Sequence, residues 1–387
     1  MKIKDICTGV TDGSHNPPQG ISVSDCLMLS SKNIFDNQIT LDDPRYLSEE
    51  DFEREHRRTN VSAGDVLLTI VGTVGRAAVV GEDMPSFTLQ RSVAVLHPKK
   101  EVCSSKYLMY SLQSKRSYIE SRAKGVAQKG IYLKEVSNID LRVVPMSEQQ
   151  LIVATLDKVS SVIAMRTAEI QKLDDLIKAR FVEMFGNPVL NDKDWEQKPL
   201  GEIATKIGSG ATPKGGKEAY REDGITLIRS MNVHNGQFEY KDLAHISDEQ
   251  AAKLDNVTIE ENDVLLNITG ASVARSCVVP AEVLPARVNQ HVCIIRCKDC
   301  IISEFLNKLL IDDNYQDLLW SIAGSGATRE AITKQQVEGL QIIMPPVELQ
   351  SEFMAFCKQV DKSKVAVQAA LDKAQLLFDS LMQEYFG

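Results

Sequence analysis

The chain has 387 residues, 43% hydrophobic and 25% charged, with a net charge of −9 and a mean hydropathy of −0.16. That is the composition of a soluble globular protein long enough for two well-cored domains, and it argues against a surface coated in basic residues. A local basic groove stays open, because an anionic partner responds to where charges sit rather than to their sum. No apolar run approaches the ~20 residues needed to span a bilayer, and the opening Met1-Lys2-Ile3-Lys4-Asp5-Ile6 lacks a signal-peptide core. A cytoplasmic protein with no membrane partner is expected, its eight scattered cysteines reduced.

In chain order the pattern divides into four parts. Residues 1–146 are rich in short β-like runs separated by turn signals, such as 66–71 and 92–96, followed by a helical stretch at 106–121. This predicts a mixed α/β module with a mostly antiparallel sheet, and an α+β protein overall. Residues 147–187 then read as one long helix, with neither proline nor glycine from Ser147 to Phe185. Leu156, Ile163, Ile170 and Ile177 fall at seven-residue steps along it, the signature of a coiled-coil seam. Residues 188–346 repeat the first module, with β-like runs at 264–268 and 292–295 and a helical stretch at 304–323. A second helix closes the chain at 347–387, its seam carried by Val360, Val367, Leu371 and Phe378. Pro145 before the first helix, and Pro345-Pro346 before the second, are start signals.

The chain therefore says the same thing twice. Gly64-Asp65-Val66-Leu67-Leu68 returns as Asn262-Asp263-Val264-Leu265-Leu266, each followed by a matching glycine, Gly72 and Gly270. The run ending Glu183-Met184-Phe185-Gly186 returns as Glu384-Tyr385-Phe386-Gly387. The offset creeps from 197 (Thr11 to Gly208) to 201 (Glu183 to Glu384), far beyond solenoid periods. Two copies of one module imply an approximate two-fold axis, and two helices related by such an axis are antiparallel with their seams facing. The expected object is two pseudo-two-fold-related modules joined by two long antiparallel helices. Each helix is about 40 residues and so roughly 55–60 Å long. Such a molecule measures something that itself has two related halves.

Catalytic signatures are sparse. Asn16-Pro17-Pro18-Gln19 resembles the Asn-Pro-Pro-aromatic signature of amino-methyltransferases, with glutamine in place of the base-stacking aromatic, and it reads as a loop. Cys293-x3-Cys297-x2-Cys300 has iron–sulfur spacing, but Cys293 sits inside an apolar run whose first copy has Ala94, which points to buried thiols. His15, His97 and His291 are isolated, and no metal site is expected. What remains polar and irregular occurs twice. The loop Thr11-Asp12-Gly13-Ser14-His15-Asn16-Pro17-Pro18 occupies the same place as Gly208-Ser209-Gly210-Ala211-Thr212-Pro213-Lys214, and Lys115, Arg116, Arg122, Lys124, Gln128, Lys129 and Lys134 cluster where the second copy carries Arg329 and Lys334. Glycine-rich loops let backbone N–H groups approach phosphates, and Lys and Arg supply salt-sensitive attraction. The candidate DNA-binding residues are Ser14, His15, Lys115, Arg116, Lys124, Gln128, Lys129, Ser209, Thr212, Lys214, Arg329 and Lys334.

At these residues the chain resembles the specificity subunits of type I restriction–modification systems, over essentially its whole length. The resemblance rests on the doubled loops, Asp12-Gly13-Ser14-His15 and Gly210-Ala211-Thr212-Pro213. It rests also on the doubled junctions, Pro145-Met146-Ser147-Glu148-Gln149 and Pro346-Val347-Glu348-Leu349-Gln350, the second with Glu348 and Leu349 displaced by one. It implies two target-recognition domains, each reading half of a split site in double-stranded DNA. It implies helices that hold two modification (methyltransferase) subunits carrying S-adenosylmethionine, and restriction (motor and nuclease) subunits using ATP and Mg²⁺. No cofactor and no catalysis would then reside in this chain. Two alternatives follow from the residues alone: a stand-alone DNA-modifying enzyme, or a coiled-coil adaptor that binds protein at its globular ends.

Overall fold

The computed structural model of the protein describes residues 1–125, 129–212, 220–324 and 330–387. It divides into two compact units, one comprising Met1–Ala168 with Gln368–Gly387 and the other Glu169–Val367. Each unit is one α+β module together with a segment of each long helix. The helices run Met146–Phe185 and Val347–Phe386, 40 residues each, so they begin directly after Pro145 and Pro346. Gly186, at φ +74°, closes the first in the left-handed conformation that glycine adopts at least cost.

The two modules share one strand plan. The first has a four-stranded antiparallel sheet in the order Cys7–Asp12, Val93–Pro98, Val66–Thr69, Ala77–Val79. The second has Ala204–Ser209, Val292–Cys297, Val264–Asn267, Ser276–Val278. Even the register irregularity recurs, between Cys7 and Gly9 and between Ala204 and Lys206. The expectation of a mostly antiparallel sheet holds here. Each module adds a three-stranded sheet containing one parallel pair, Leu27–Leu29 with Phe87–Leu89 and Ile225–Ile228 with Ala286–Val288.

Continuous apolar runs such as Val66-Leu67-Leu68 have a simple cause: both faces of the sheet are covered. Successive side chains point to opposite faces, and Val66, Leu68, Ala94 and Leu96 join one core while Leu67, Val93 and Val95 join another. The second module sorts the same way, with Val264, Leu266 and Ile295 on one side and Leu265, Val292 and Ile294 on the other. The helical stretches after the sheet are each split in two, into Ser105–Ser114 and Arg116–Arg122, and into Ser303–Leu310 and Asp313–Gly324. Asp312 explains the second break. Its carboxylate accepts from the Asn314 N–H at 3.0 Å, a local bond that starts a new helix rather than continuing the old one.

The heptad positions are buried unequally. In the first unit Leu156 is fully buried beside Ile152, Phe386 and the module residues Tyr107 and Leu108, whereas Ile163, Leu371 and Phe378 are half-buried. In the second unit Ile177, Val360 and Val367 are buried and Ile170 is half-buried. There the two helix segments run antiparallel, since Asp174 pairs with Lys364 at 2.5 Å while Phe181 stacks edge-on against Phe353, 5.6 Å between ring centroids. Leu156 is buried where the module closes over the seam, whereas Phe378 stays half-buried although its ring lies 6.1 Å from that of the module residue Tyr110.

A buried glutamine anchors each long helix to its module. Gln149 accepts from the Ser104 N–H at 2.9 Å and donates to the carbonyls of Val102 (2.8 Å) and Val144 (2.9 Å). Gln350 accepts from the Ile302 N–H at 2.9 Å and donates to the carbonyls of Cys300 (3.3 Å) and Pro345 (2.9 Å). Both side chains are fully buried. The apparent displacement of Glu348 and Leu349 is therefore without structural consequence: the glutamine, four residues past Pro145 or Pro346, is what the two junctions share.

A second recurring device precedes the strand Val66–Thr69 and its copy Val264–Asn267. Gly64 (φ +89°) and Asn262 (φ +66°) make the left-handed turn, and the following Asp65 and Asp263 accept the N–H groups of Ser62 and Glu260 at 2.8 Å. Asp65 then pairs with His97 Nδ1 at 2.8 Å, where the second module has Asp263 with Arg296 at 2.8 Å. The hydrogen bond from Asp65 raises the His97 pKa above its ordinary value. A histidine whose folded pKa lies above its unfolded value, ~6.5, stabilises the fold fully below that value, and the contribution is lost as pH rises through the raised pKa. His97→Arg, which copies the second module, is expected to remove this loss. Denaturant midpoints measured across neutral pH should fall for the native chain and flatten for the variant; equal slopes would show that the pair contributes no pH dependence.

Candidate nucleic-acid interface

In both modules the first sheet strand ends in the glycine loop singled out by the sequence, and the loop is pressed against the parallel strand pair. Gly13 donates to the Val93 carbonyl at 3.2 Å and Ser14 N–H to the Leu89 carbonyl at 2.7 Å; Gly210 donates to the Asn289 carbonyl at 3.1 Å. A Cβ on Gly13 would lie 2.1 Å from the Leu89 oxygen, and one on Gly210 1.8 Å from the Val288 oxygen. Only glycine permits this approach.

Around the first loop lies a cleft of about 650 Å³ lined by Asp12, His15, Arg58, Arg91, Lys124, Tyr132 and Lys134, among others. Among the described lining residues Asp12 is the one acid, and it is nearly buried. It accepts from Arg58 at 2.9 Å and pairs with His15 Nε2 at 2.8 Å, so it orients two cationic or protonatable groups toward the opening. Arg91, Lys124 and Lys134 have no ion pair among the described residues, which leaves the cleft positively charged. Lys124 is held by two backbone hydrogen bonds with Gly130, at 2.8 and 2.9 Å, and Tyr132 is 69% exposed at the rim. This combination suits a phosphate backbone with base edges or faces beside it.

Among the described residues, the corresponding place in the second module is polar rather than basic. Thr212 Oγ1 bonds to Gln290 Oε1, Gln290 Nε2 lies 3.2 Å from His291 Nε2, and His291 Nδ1 bonds to Thr269 Oγ1. The loops that meet are the same: the Val71–Gly130 bridge of the first module recurs as Thr269–Ala331.

The structure sorts the sequence-based candidates. His15, Lys124, Ser209, Thr212 and Lys129 lie on or beside these matched loops and, like Lys334, are solvent-accessible. Lys334 opens the short helix Lys334–Glu338, pairs with Glu338 at 3.5 Å and corresponds to Leu133 rather than to Lys134. Ser14 is buried, 4% exposed, and its backbone bonds to Leu89 and Arg91 give it a positioning role. Lys115 and Arg116 lie away from the cleft, at the break between the two short helices. Lys115 donates to the Phe386 carbonyl at 3.4 Å and Arg116 pairs with Asp36, so both serve internal contacts. Gln128, Lys214 and Arg329 fall outside the described residues. Sequence reasoning missed Arg58, Arg91, Tyr132, Thr269 and Gln290. Arg91 and Gln290 carried a signal, since each stands just before the repeated central strand. Arg58 did not, because its helix, Glu49–Thr59, is separated from the loop by the intervening hairpins.

The other segments take ordinary places. Asn16-Pro17-Pro18-Gln19 forms a loop, with the Pro18 carbonyl accepting from Arg45 at 2.7 Å. Cys293 is buried in its strand, and burial pushes its thiol up to about 12.

Comparison with known proteins places this arrangement. A family model described as the type I restriction modification DNA specificity domain matches residues 32–175 and again 192–374. The chain is 22% identical over 315 residues to the MjaVIII type I restriction enzyme specificity subunit of Methanocaldococcus jannaschii, covering 78% of this chain and 73% of that one. In fold it is similar to the S subunit of a type I restriction–modification system from M. genitalium. The TM-score is 0.58 at 14% identity, covering 100% of this chain and 95% of that one. A chain solved in work on complex assembly and conformational transition of the type I R-M system gives 0.57 at 17%, covering 100% and 96%.

Proposed function

This chain belongs to the type I restriction–modification DNA specificity family, and from that premise we propose that it reads a two-part DNA site, one module to each half. The observation that carries the reading is the pair of matched glycine loops: one backbone plan, presenting a basic cleft in the first module and, among the described residues, a polar hydrogen-bonded cluster in the second. Equal scaffolds with unequal side chains give half-sites that differ in sequence, so the site is asymmetric rather than palindromic.

Chemistry in this reading belongs to partners. Two modification subunits bound along the helices carry S-adenosylmethionine, and restriction subunits add ATP- and Mg²⁺-dependent translocation and cleavage; this chain contributes recognition alone and works in the cytoplasm. Among the described residues no helix is long and apolar enough to cross a membrane. The net charge of −9 fits a subunit that shares phosphate neutralisation with its partners.

The test is to map adenine methylation made by the chain assembled with its modification partner. A single split motif with a fixed spacer is expected, with DNA affinity falling steeply as salt rises, and no turnover by the purified chain alone. Methyl transfer by the single chain, or a contiguous motif, would defeat the proposal.

The two 40-residue helices set the spacer in this reading. Duplicating 163–169 and 364–370 together adds one heptad to each and keeps the seam, lengthening each helix by about 10 Å. The spacer should grow by one to three base pairs with both half-sites unchanged, or binding should fail. A normally assembled variant that keeps the original spacer removes the helices as the ruler.

A further inference from the structure

Arg91 and Gln290 occupy one structural position in the two modules, an exposed turn held on three sides by backbone hydrogen bonds. Each follows the parallel strand and precedes the central one. The residue before it donates its N–H to the neighbouring strand, Gln90 to the Leu29 carbonyl at 2.8 Å and Asn289 to the Ile228 carbonyl at 3.1 Å. The residue after it offers its carbonyl to the inner strand, Ser92 to Ile70 N–H at 2.8 Å and His291 to Ile268 N–H at 2.9 Å. The glycine loop closes the remaining side, with Arg91 N–H donating to the Ser14 carbonyl at 2.9 Å and Gly210 N–H to the Asn289 carbonyl at 3.1 Å. A side chain leaving such a turn starts from a fixed point, which is what discrimination between base edges requires.

The side chains themselves differ in chemistry. Arg91 is exposed, lines the basic cleft, and makes no hydrogen bond or ion pair among the described residues. Its donors are uncommitted. Gln290 is exposed too, but its amide is oriented by Thr212 on one side and His291 on the other. Each amide end keeps one further hydrogen-bonding capacity, an N–H and an oxygen lone pair.

Resting on the DNA-reading function proposed above, we infer that this matched turn is a specificity-determining position in each module, Arg91 reading a guanine in one half-site and Gln290 an adenine in the other. A guanidinium matches the O6 and N7 acceptors of guanine, and a carboxamide matches the N6 donor and N7 acceptor of adenine. The asymmetry between half-sites then arises in part from one residue exchanged between two copies of the same turn.

Methylation mapping of the complete complex tests this, with native protein, Arg91→Gln, Arg91→Lys and Gln290→Leu compared. Arg91→Gln should relax a guanine at one position of one half-site by roughly 5- to 150-fold in preference, leaving the other half-site and spacer unchanged. Arg91→Lys should restore overall affinity and only part of the guanine preference, because a point charge lacks the bidentate fork. Gln290→Leu should relax one adenine in the opposite half-site. Two outcomes overturn the inference while leaving the function intact: unchanged motifs, or uniform weakening with the motif preserved, which would make Arg91 a phosphate anchor. A native complex that methylates no split site overturns the function and this inference with it. Among the described residues the Arg91 side chain has no partner to lose, so its variants are expected to fold, and unaltered thermal unfolding is the control.

Discussion

Replacing Gly13 by alanine is expected to abolish recognition of one half-site while leaving the other intact, and Gly210→Ala should do the reverse. Each new Cβ would sit about 2 Å from a main-chain carbonyl, 2.1 Å from Leu89 in the first case and 1.8 Å from Val288 in the second. Neither carbonyl can retreat, since both belong to parallel strands paired inside the module. The loop must lift instead, breaking the Ser14–Leu89 and Gly210–Asn289 hydrogen bonds and displacing His15 or Thr212. Overpacking of this kind costs about 1–3 kcal/mol and sometimes more. The larger effect is on DNA, where losing one of two reading surfaces should shift affinity by about 10³-fold toward the non-specific level. Gly208→Ala is the built-in control. It lies two residues from Gly210 and a Cβ there meets nothing within 4 Å, so its unfolding and its methylation motif should match the native protein. Wild-type motifs from Gly13→Ala and Gly210→Ala would mean that the glycine loops do not form the interface.

The second large effect is expected at the buried glutamines. Gln149→Leu keeps roughly the same volume but leaves the Ser104 N–H and the Val102 and Val144 carbonyls without their partner. A buried polar group left unsatisfied costs about 1–3 kcal/mol, so the three together should lower stability by roughly 3–9 kcal/mol, a large share of the ~5–15 kcal/mol of an ordinary domain. Gln149→Glu should be little better, because a carboxylate accepts from Ser104 but cannot donate to either carbonyl. Gln350→Leu should repeat the loss at Ile302, Cys300 and Pro345. Denaturant unfolding with two resolved transitions would assign each loss to its unit; a drop below about 1 kcal/mol for both would show that water or relaxation replaces the bonds.

Much of this protein was legible in the chain because its signals are local and doubled. The absence of proline and glycine from 147 to 185, with seven-residue apolar spacing, determined a 40-residue helix to within two residues at either end. The apolar runs at Val66 and Val264 determined strands, and the structure then showed why they do not alternate, with a core on each face of the sheet. The repeat also determined which loops matter: Gly13 and Gly210 are recognisable as a pair because both copies keep glycine where the surrounding residues change.

What only the tertiary structure decided are the contacts made across long sequence separations. Lys115 and Arg116 look like part of a basic cluster because they adjoin Lys124 along the chain. A helix break instead turns them toward Phe386 and Asp36, 271 and 80 residues away. Arg58 joins Asp12 across 46 residues, and no pattern of period two or seven encodes that meeting. The division of seam residues into buried Leu156 and half-buried Ile163 likewise depends on where a module closes over the helix, which the heptad cannot express. Periodicity and propensity act through neighbours three or four residues apart and so are written in the chain. The charge of a cleft is set by which distant loops the sheet brings together, and that is settled only when the sheet has formed.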